Sequence, residues 1–341
     1  MPVPRPPLRC GIIGAGGIAH AHAHALTELG AELAAVAEID PASAAAFAGR
    51  FPVGAVYGDA ETMLKQERLD LAHICTPPGT HVPLAIAAMR AGVPALVEKP
   101  TALSLAEMDE LAEVESETGV PVLTVFQHRY GPAAIRLRRL VASGVLGRPL
   151  VATCETLWYR DDAYFAVPWR GRWEVEGGGP TMGHGIHQFD LLLSILGPWS
   201  EVTAMAARLS RPTNTEDVSM ALARFDNGAL ATVVNSVVSP RETSRLRFDF
   251  EHATVELEHL YGYRQAHWRF TAAPGSEDLA RLWFAGDEPD PESGHRLQIE
   301  AVLDAIAAGT EPGVSLAEAR RTLEFAAATY ASAFQGRPVS A

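Results

Sequence analysis

The sequence predicts an α/β protein of two domains, a doubly wound parallel sheet first and then an α/β domain on a large, mostly antiparallel sheet. Three observations carry this. Through residue 126 short apolar runs alternate with helical stretches, the pattern of parallel strands joined by right-handed crossovers. The first run enters a glycine-rich turn that opens a helix. The second half carries hairpin signals instead, including Asp226-Asn227-Gly228 between two apolar runs. A length of 341 residues suits two domains. They are expected over 1–127 and 128–341, with the proline-rich 1–7 as a disordered or extended arm.

Composition narrows the class of function. With 48% hydrophobic and 20% charged residues the chain reads as an ordinary globular protein. A net charge of −13 without any long basic block argues against a nucleic-acid surface or a polybasic membrane patch. No window approaches the roughly 20 apolar residues of a membrane helix, and the N-terminus lacks the apolar segment of a secretory signal. Cys10, Cys75 and Cys154 are too few and scattered for a disulfide framework or a zinc cluster, so a reducing cytoplasm is expected.

Leu8 to Ile13 reads as a strand that runs into Gly14-Ala15-Gly16-Gly17-Ile18-Ala19 and a helix from His20 to Leu29. This is G-x-G-x-x-A in its strand-turn-helix context. Gly14 makes the tight turn, Gly16 lets backbone approach a pyrophosphate, and Ala19 lets helix and strand pack closely. The strand Leu33 to Ala37 ends at Glu38, 22 residues beyond Gly16, where an acid accepts hydrogen bonds from a ribose and repels a 2′-phosphate. NAD is therefore expected over NADP. Asp40-Pro41 reads as the cap and first residue of the next helix, to Phe51. A third strand, Asp70 to Cys75, breaks at Thr76-Pro77-Pro78. A fourth, Val93 to Val97, stops at Glu98-Lys99-Pro100, because proline cannot extend a ladder. Strand ends of this kind face ligands in doubly wound folds, although the tripeptide alone also fits a surface ion pair. A helix from Ser104 to Thr118, with Ser104 and Glu107 as a capping box, precedes the strand Val122 to Phe126. His20, His22 and His24 spread over too wide an arc of one helix for a metal site, and no metal is expected.

These motifs, with Gln127-His128-Arg129-Tyr130, resemble those of the Gfo/Idh/MocA family, which includes glucose-fructose oxidoreductase and inositol dehydrogenase. The resemblance covers nearly the whole chain. It implies an N-terminal Rossmann domain and a C-terminal domain that binds substrate and subunits. It also implies that Gly14, Gly16, Gly17, Ile18, Glu38, Thr76, Pro77, His81, Glu98, Lys99 and Gln127 line the cofactor.

Beyond the helix Pro132 to Ser143 and the strand Leu150 to Trp158, the stretch Trp158 to Trp173 is rich in aromatics and arginine. It fits a domain-interface plug or stacking on a sugar or nicotinamide, and the resemblance places Trp169 and Arg170 near the cofactor. The glycine-rich Glu176 to Gly185 then enters an apolar helix. His184, His187 and Asp190, at spacings of three, fall roughly on one face near its start. They serve either as helix caps or as site residues. By resemblance His187 matches a catalytic histidine and Lys99 a catalytic lysine, while Gly183 stands where many members carry a catalytic aspartate. His184 and Asp190 are lesser candidates. Two hairpins, Val218 to Val238 and Arg245 to Leu260, and two closing helices, His295 to Ala308 and Leu316 to Phe334, complete the chain. A broad sheet with too few helices to cover it implies a homodimer or homotetramer.

The expected activity is hydride transfer between NAD and a secondary alcohol of a sugar, inositol or related polyol. The alternatives are an enzyme that keeps NAD bound for a net non-redox reaction on a glycoside, and a non-catalytic NAD-binding regulator.

Overall fold

The computed structural model describes residues 7–259, 261–284, 289–310 and 313–341. Of the expected N-terminal arm residues 1–6 lie outside them, as does Leu260. The chain divides into two compact units: everything up to Phe126 together with His295–Arg320, and Gln127–Gly294 together with Arg321–Ala341. The segment 295–320, expected in the second domain, thus belongs to the first unit. Its helix His295–Ala308 buries Ile299, Val302 and Leu303 in the same core as Ala19, Ala23, Leu26 and Leu123. That apolar face needs a cover, and α1 supplies it.

In the first unit β1 (Arg9–Ile13), α1 (Gly17–Glu28), β2 (Glu32–Ala37), α2 (Pro41–Arg50), β3 (Ala55–Tyr57), α3 (Ala60–Gln66), β4 (Leu71–Ile74), α4 (His81–Arg90), β5 (Ala95–Val97), α5 (Leu105–Thr118) and β6 (Val122–Thr124) follow in turn. The sheet is parallel, in the order β3-β2-β1-β4-β5-β6. This is the doubly wound order, with its switch point between β1 and β4. Every residue of β4 and β5 is buried, as expected of strands covered on both faces. The helix starts follow their caps: Asp40 accepts from Ser43 N at 3.0 Å, and Ser104 from Glu107 N at 3.2 Å. β3 and α3 escaped the sequence pattern because three half-exposed strand residues carry no readable period.

The second unit holds α6 (Pro132–Ala142), β7 (Pro149–Tyr159), the short helices α7 (Asp162–Phe165) and α8 (Trp173–Glu176), α9 (Ile186–Leu196), β8 (Trp199–Ala207), β9 (Val218–Phe225), β10 (Leu230–Ser236), β11 (Val238–Phe250), β12 (Ala253–Glu258), β13 (Trp268–Ala272) and α10 (Leu279–Phe284). The return helix His295–Ala308 is α11, α12 is Leu316–Gln335, and β14 is Val339–Ser340. The eight-stranded sheet runs β13-β12-β11-β7-β10-β9-β8-β14, antiparallel except between β7 and β10. Both expected hairpins form, β9 with β10 and β11 with β12. Gly228 closes the first at φ +90, a conformation that favours glycine. β8 and β13 were not expected.

The return helix is also tied to β6 through one side chain. Gln298 Oε1 accepts from Phe126 N at 2.9 Å, and its Nε2 donates to Thr124 O at 2.6 Å, all of it buried. Gln298→Leu keeps the volume and strands two buried backbone groups. It should lower stability by about 2–4 kcal/mol, read as a lower thermal midpoint. An unchanged midpoint would show that the clamp adds nothing.

Candidate active site

The loop after β1 is shaped by close approach. Gly14 has φ +91, and a Cβ there would lie 2.9 Å from Thr76 Cγ2 and 3.1 Å from the Cys75 carbonyl. Its N–H donates to Ala37 O at 2.8 Å. Gly16 caps α1, and a Cβ on Gly16 or Gly17 would meet nothing within 4 Å. The space in front of the α1 N-terminus is therefore open, with Ile18 partly exposed beside it. Glu38, immediately after β2, accepts from Ala15 N at 2.7 Å and from Asp40 N at 2.9 Å. Its carboxylate thus lies against the glycine loop. Open backbone at a helix start and an acid at the end of β2 fit the pyrophosphate and ribose of a dinucleotide. Arg50, whose place the sequence left open, contacts His20 (3.1 Å) and His24 (3.3 Å). His22 faces the opposite way, into the core.

The ends of β4 and β5 are laced together. Thr80 Oγ1 donates to Thr76 Oγ1 at 2.8 Å, in the loop that carries Pro77. His81 reaches both loops, with Nδ1 2.7 Å from Pro100 O and Nε2 2.8 Å from Thr76 O. Burial lowers the pKa of its ring, and the two carbonyls oppose that. Glu98 is buried, with Oε1 3.0 Å from both His22 Nε2 and His295 Nε2, and Oε2 accepting from Lys99 N at 3.2 Å. Lys99–Pro100 is a cis peptide. Behind His22, His73 Nδ1 lies 2.8 Å from His22 Nδ1. Sequence reasoning missed His73 and His295. The available signal was a histidine inside Leu71–Ile74, since a polar ring in a fully buried strand needs a partner.

In the second unit the glycine-rich segment ends in a π-helical turn, Thr181–Gly185, that passes straight into α9. His187 is buried with its ring 5.2 Å from that of His128 and 5.4 Å from Tyr261. Asp190 is held by Arg129 through two bonds of 2.6 Å, Nε to Oδ2 and Nη2 to Oδ1, and takes a weaker one from Thr322 Oγ1 at 3.3 Å. Both residues thus face the Gln127–Tyr130 turn, where Gln127 is itself buried. His184 does not share that face. Its ring sits 5.0 Å from Trp158, with Nε2 3.4 Å from Tyr164 Oη, because the wider π turn changes the angular spacing. Gly183 opens onto empty space, where a Cβ would meet nothing within 4 Å. The Arg170 guanidinium lies 3.9 Å over the Tyr164 ring and 4.4 Å over Trp169. A pocket of about 670 Å³ opens beside this cluster, lined by Trp158, Arg160, Glu242, Ser244, His259 and Tyr261 among others. Tyr261 and Glu242 were not picked out from the sequence, since neither sits in a motif.

Residues 8–126 match the family model described as the oxidoreductase family, NAD-binding Rossmann fold, and residues 134–256 match the GFO/IDH/MocA C-terminal domain. The chain belongs to the Gfo/Idh/MocA family. As a family member it is an NAD-binding oxidoreductase. The chain is similar to a D-apiose dehydrogenase of Paraburkholderia graminis, 27% identical over 96% of this chain and 88% of that one. It is similar to inositol 2-dehydrogenase 2 of Paenarthrobacter aurescens, 27% identical over 92% and 91%. Among solved structures it resembles the WlbA dehydrogenase of Bordetella pertussis, in complex with NADH and UDP-GlcNAcA, at a TM-score of 0.88 and 26% identity over 100% and 99% of the two chains.

The buried imidazoles have a consequence for pH. Burial lowers the pKa of His22 and, more strongly, of His73, so both stay neutral in the fold. Their stabilisation is fully present above the unfolded value of about 6.5 and is lost as pH falls below it, by up to about 1.4 kcal/mol per pH unit for each ring. The thermal midpoint should therefore fall between pH 7.5 and pH 5, and His73→Leu should flatten the slope. A midpoint that is level across that range would count against neutral buried rings.

Proposed function

We propose that this Gfo/Idh/MocA member oxidises a secondary alcohol of a sugar, inositol or related polyol, or catalyses the reverse reduction. The observation that supports this best is the second unit's pocket beside His187. Its aromatic walls, Trp158 and Tyr261, suit the apolar face of a sugar ring, and Arg160, Glu242 and Ser244 offer donors and acceptors to its hydroxyls. Tyr261 lines this pocket and also packs its ring 5.4 Å from that of His187, which links the pocket to a candidate base.

In this reading His187 takes the proton of the reacting hydroxyl, and the Lys99 ammonium hydrogen-bonds the same oxygen as negative charge develops on it. Bound NAD supplies the hydride acceptor. Gly14, Gly16, Gly17 and Ile18 receive the pyrophosphate, and Glu38 the adenosine ribose. Thr76, Pro77, His81, Glu98 and Gln127 bind the cofactor in this reading, and the family resemblance adds Trp169 and Arg170 to that set. Asp190 was a candidate for proton transfer; with both oxygens on Arg129, it instead fixes α9 and therefore His187. His184, against Tyr164, directly follows Gly183, the position where many relatives carry an aspartate.

The sheet supports a homo-oligomer, a dimer or tetramer. Met205 lies opposite Met220 across β8 and β9, and Leu230 opposite Val151 across β10 and β7. With Leu222 they form an exposed apolar face, Met205 at 78% exposure and Leu222 at 62%. Three buried cysteines, none in a disulfide, suit a cytoplasmic setting. Among the described residues no helix is long and apolar enough to cross a membrane.

An absorbance screen for NADH against sugars, sugar acids and inositols should find turnover, with NAD preferred to NADP. Lys99→Met should reduce that turnover by about 10²-fold or more with little change in NAD affinity. Retained turnover would discard the role of Lys99, and NAD that co-purifies yet never turns over would favour a net non-redox reaction. For the sheet face, Leu222→Lys with Met205→Glu should shift light-scattering mass towards a monomer. A wild-type protein that is already monomeric at micromolar concentration would refute the oligomer.

A further inference from the structure

Three segments far apart in the chain meet at one carboxylate oxygen of the first unit. Glu98 Oε1 lies 3.0 Å from His22 Nε2 on α1 and 3.0 Å from His295 Nε2 at the first residue of the return helix. Its second oxygen accepts the backbone N–H of Lys99.

The hydrogens can be placed by following the chain of contacts outward. An ionised carboxylate only accepts, so both Nε2 atoms carry hydrogen. His22 is then left with a lone pair at Nδ1, and His73 Nδ1, 2.8 Å away, must donate to it. What remains is a lone pair on His73 Nε2, which is buried and has no partner among the described residues. The opposite order would leave an N–H at that atom, and an orphaned buried N–H is the rarer case. A protonated Glu98 has a single hydrogen and cannot satisfy two accepting Nε2 atoms. Burial by itself raises the carboxyl pKa, but hydrogen bonds from His22 and His295 outweigh it and hold the group well below the usual range.

We propose that His22 and His295 are positioning residues for Lys99, acting through an ionised Glu98 that both imidazoles and the Lys99 amide hold in one orientation. This rests on the role given to Lys99 above. The return helix then does more than cover the core: its first residue fixes the carboxylate against which the Lys99 backbone is set. Among the described residues the donors to this carboxylate are His22, His295 and the Lys99 N–H. Its side chain ends between α1 and the return helix, and losing either donor frees it to rotate away from the Lys99 amide.

The same three side chains have the composition of a metal site, with ligand atoms all within 4.8 Å of one another. A divalent cation would need lone pairs on both Nε2 atoms. His22 Nδ1 would then carry its hydrogen toward His73 and leave the orphan N–H at His73 Nε2. The hydrogen-bonded arrangement avoids that cost.

Long-range proton–nitrogen NMR of imidazole-labelled protein should show a hydrogen on Nε2 of both His22 and His295, with His22 a neutral Nε2–H tautomer and His73 a neutral Nδ1–H one. In kinetics, His295→Leu should lower kcat by about 10- to 100-fold while NAD affinity stays within about twofold. His295→Gln returns an N–H to about the Nε2 position and should restore kcat to within about threefold of the parent. Should His295→Leu fail to fold, His295→Asn, whose shorter amide cannot reach Glu98, takes its place. The proposal is overturned by an Nδ1–H tautomer at His22. Zinc that co-purifies and shifts these resonances on removal overturns it too, as does a folded His295→Leu with unchanged kcat when Lys99→Met has lost turnover. Turnover retained in Lys99→Met removes the Lys99 role itself, and the positioning claim with it.

Discussion

A carboxylate buried at the carboxyl end of a parallel strand sets terms for everything around it, because an unpaired charge in that position costs several kcal/mol. Glu98 meets those terms with donors from two helices and from the next residue in the chain. One donor comes from the first helix and one from position 295, so the first unit is complete only when its last segment has returned. The core shows the same dependence, since Ile299 and Val302 fill space against α1 that the first 126 residues leave uncovered. Polar and apolar contacts therefore converge on one requirement, and the strand end that carries Lys99 inherits its geometry from it.

The second unit repeats the device with different residues. Asp190 is buried on α9, and Arg129 grips it through both nitrogens of a planar fork, the geometry in which a buried pair offsets its desolvation best. His187 sits one turn earlier on the same helix. In each unit a buried acid holds a segment, and the residue proposed for the chemistry stands beside it: Lys99 one residue after Glu98, His187 three before Asp190. This division of labour follows from electrostatics. An acid fully occupied by donors is a poor base but a stiff anchor.

The glycine loop illustrates how short-range chemistry and long-range packing combine. Gly14 is required by a positive φ and by Thr76 and Cys75, residues about sixty positions later. Gly16 and Gly17 are surrounded by space instead, which is what a phosphate needs. The same residue type is thus used for opposite reasons two and three positions apart. Glu38 joins the two, because its carboxylate caps the backbone of the loop while facing the place expected of a ribose.

The sequence by itself determined the class of fold, five of the six parallel strands, the caps at Asp40 and Ser104, both hairpins, and the glycine, Glu38 and Glu98-Lys99-Pro100 motifs. These are local: a period of two or of 3.6, a capping side chain or a turn residue needs only its neighbours to be recognised. The tertiary structure decided what depends on distant partners. It returned residues 295–320 to the first unit, because an apolar helix face seeks whichever core is uncovered and leaves no mark of which one. It turned His184 away from His187, because a π turn is set by packing rather than by propensity. It spent Asp190 on Arg129, and it joined His22, His73 and His295 around Glu98. Histidine spacing along one helix could say only that these rings point in different directions; which of them finds a buried acid is settled by chain segments almost two hundred residues apart.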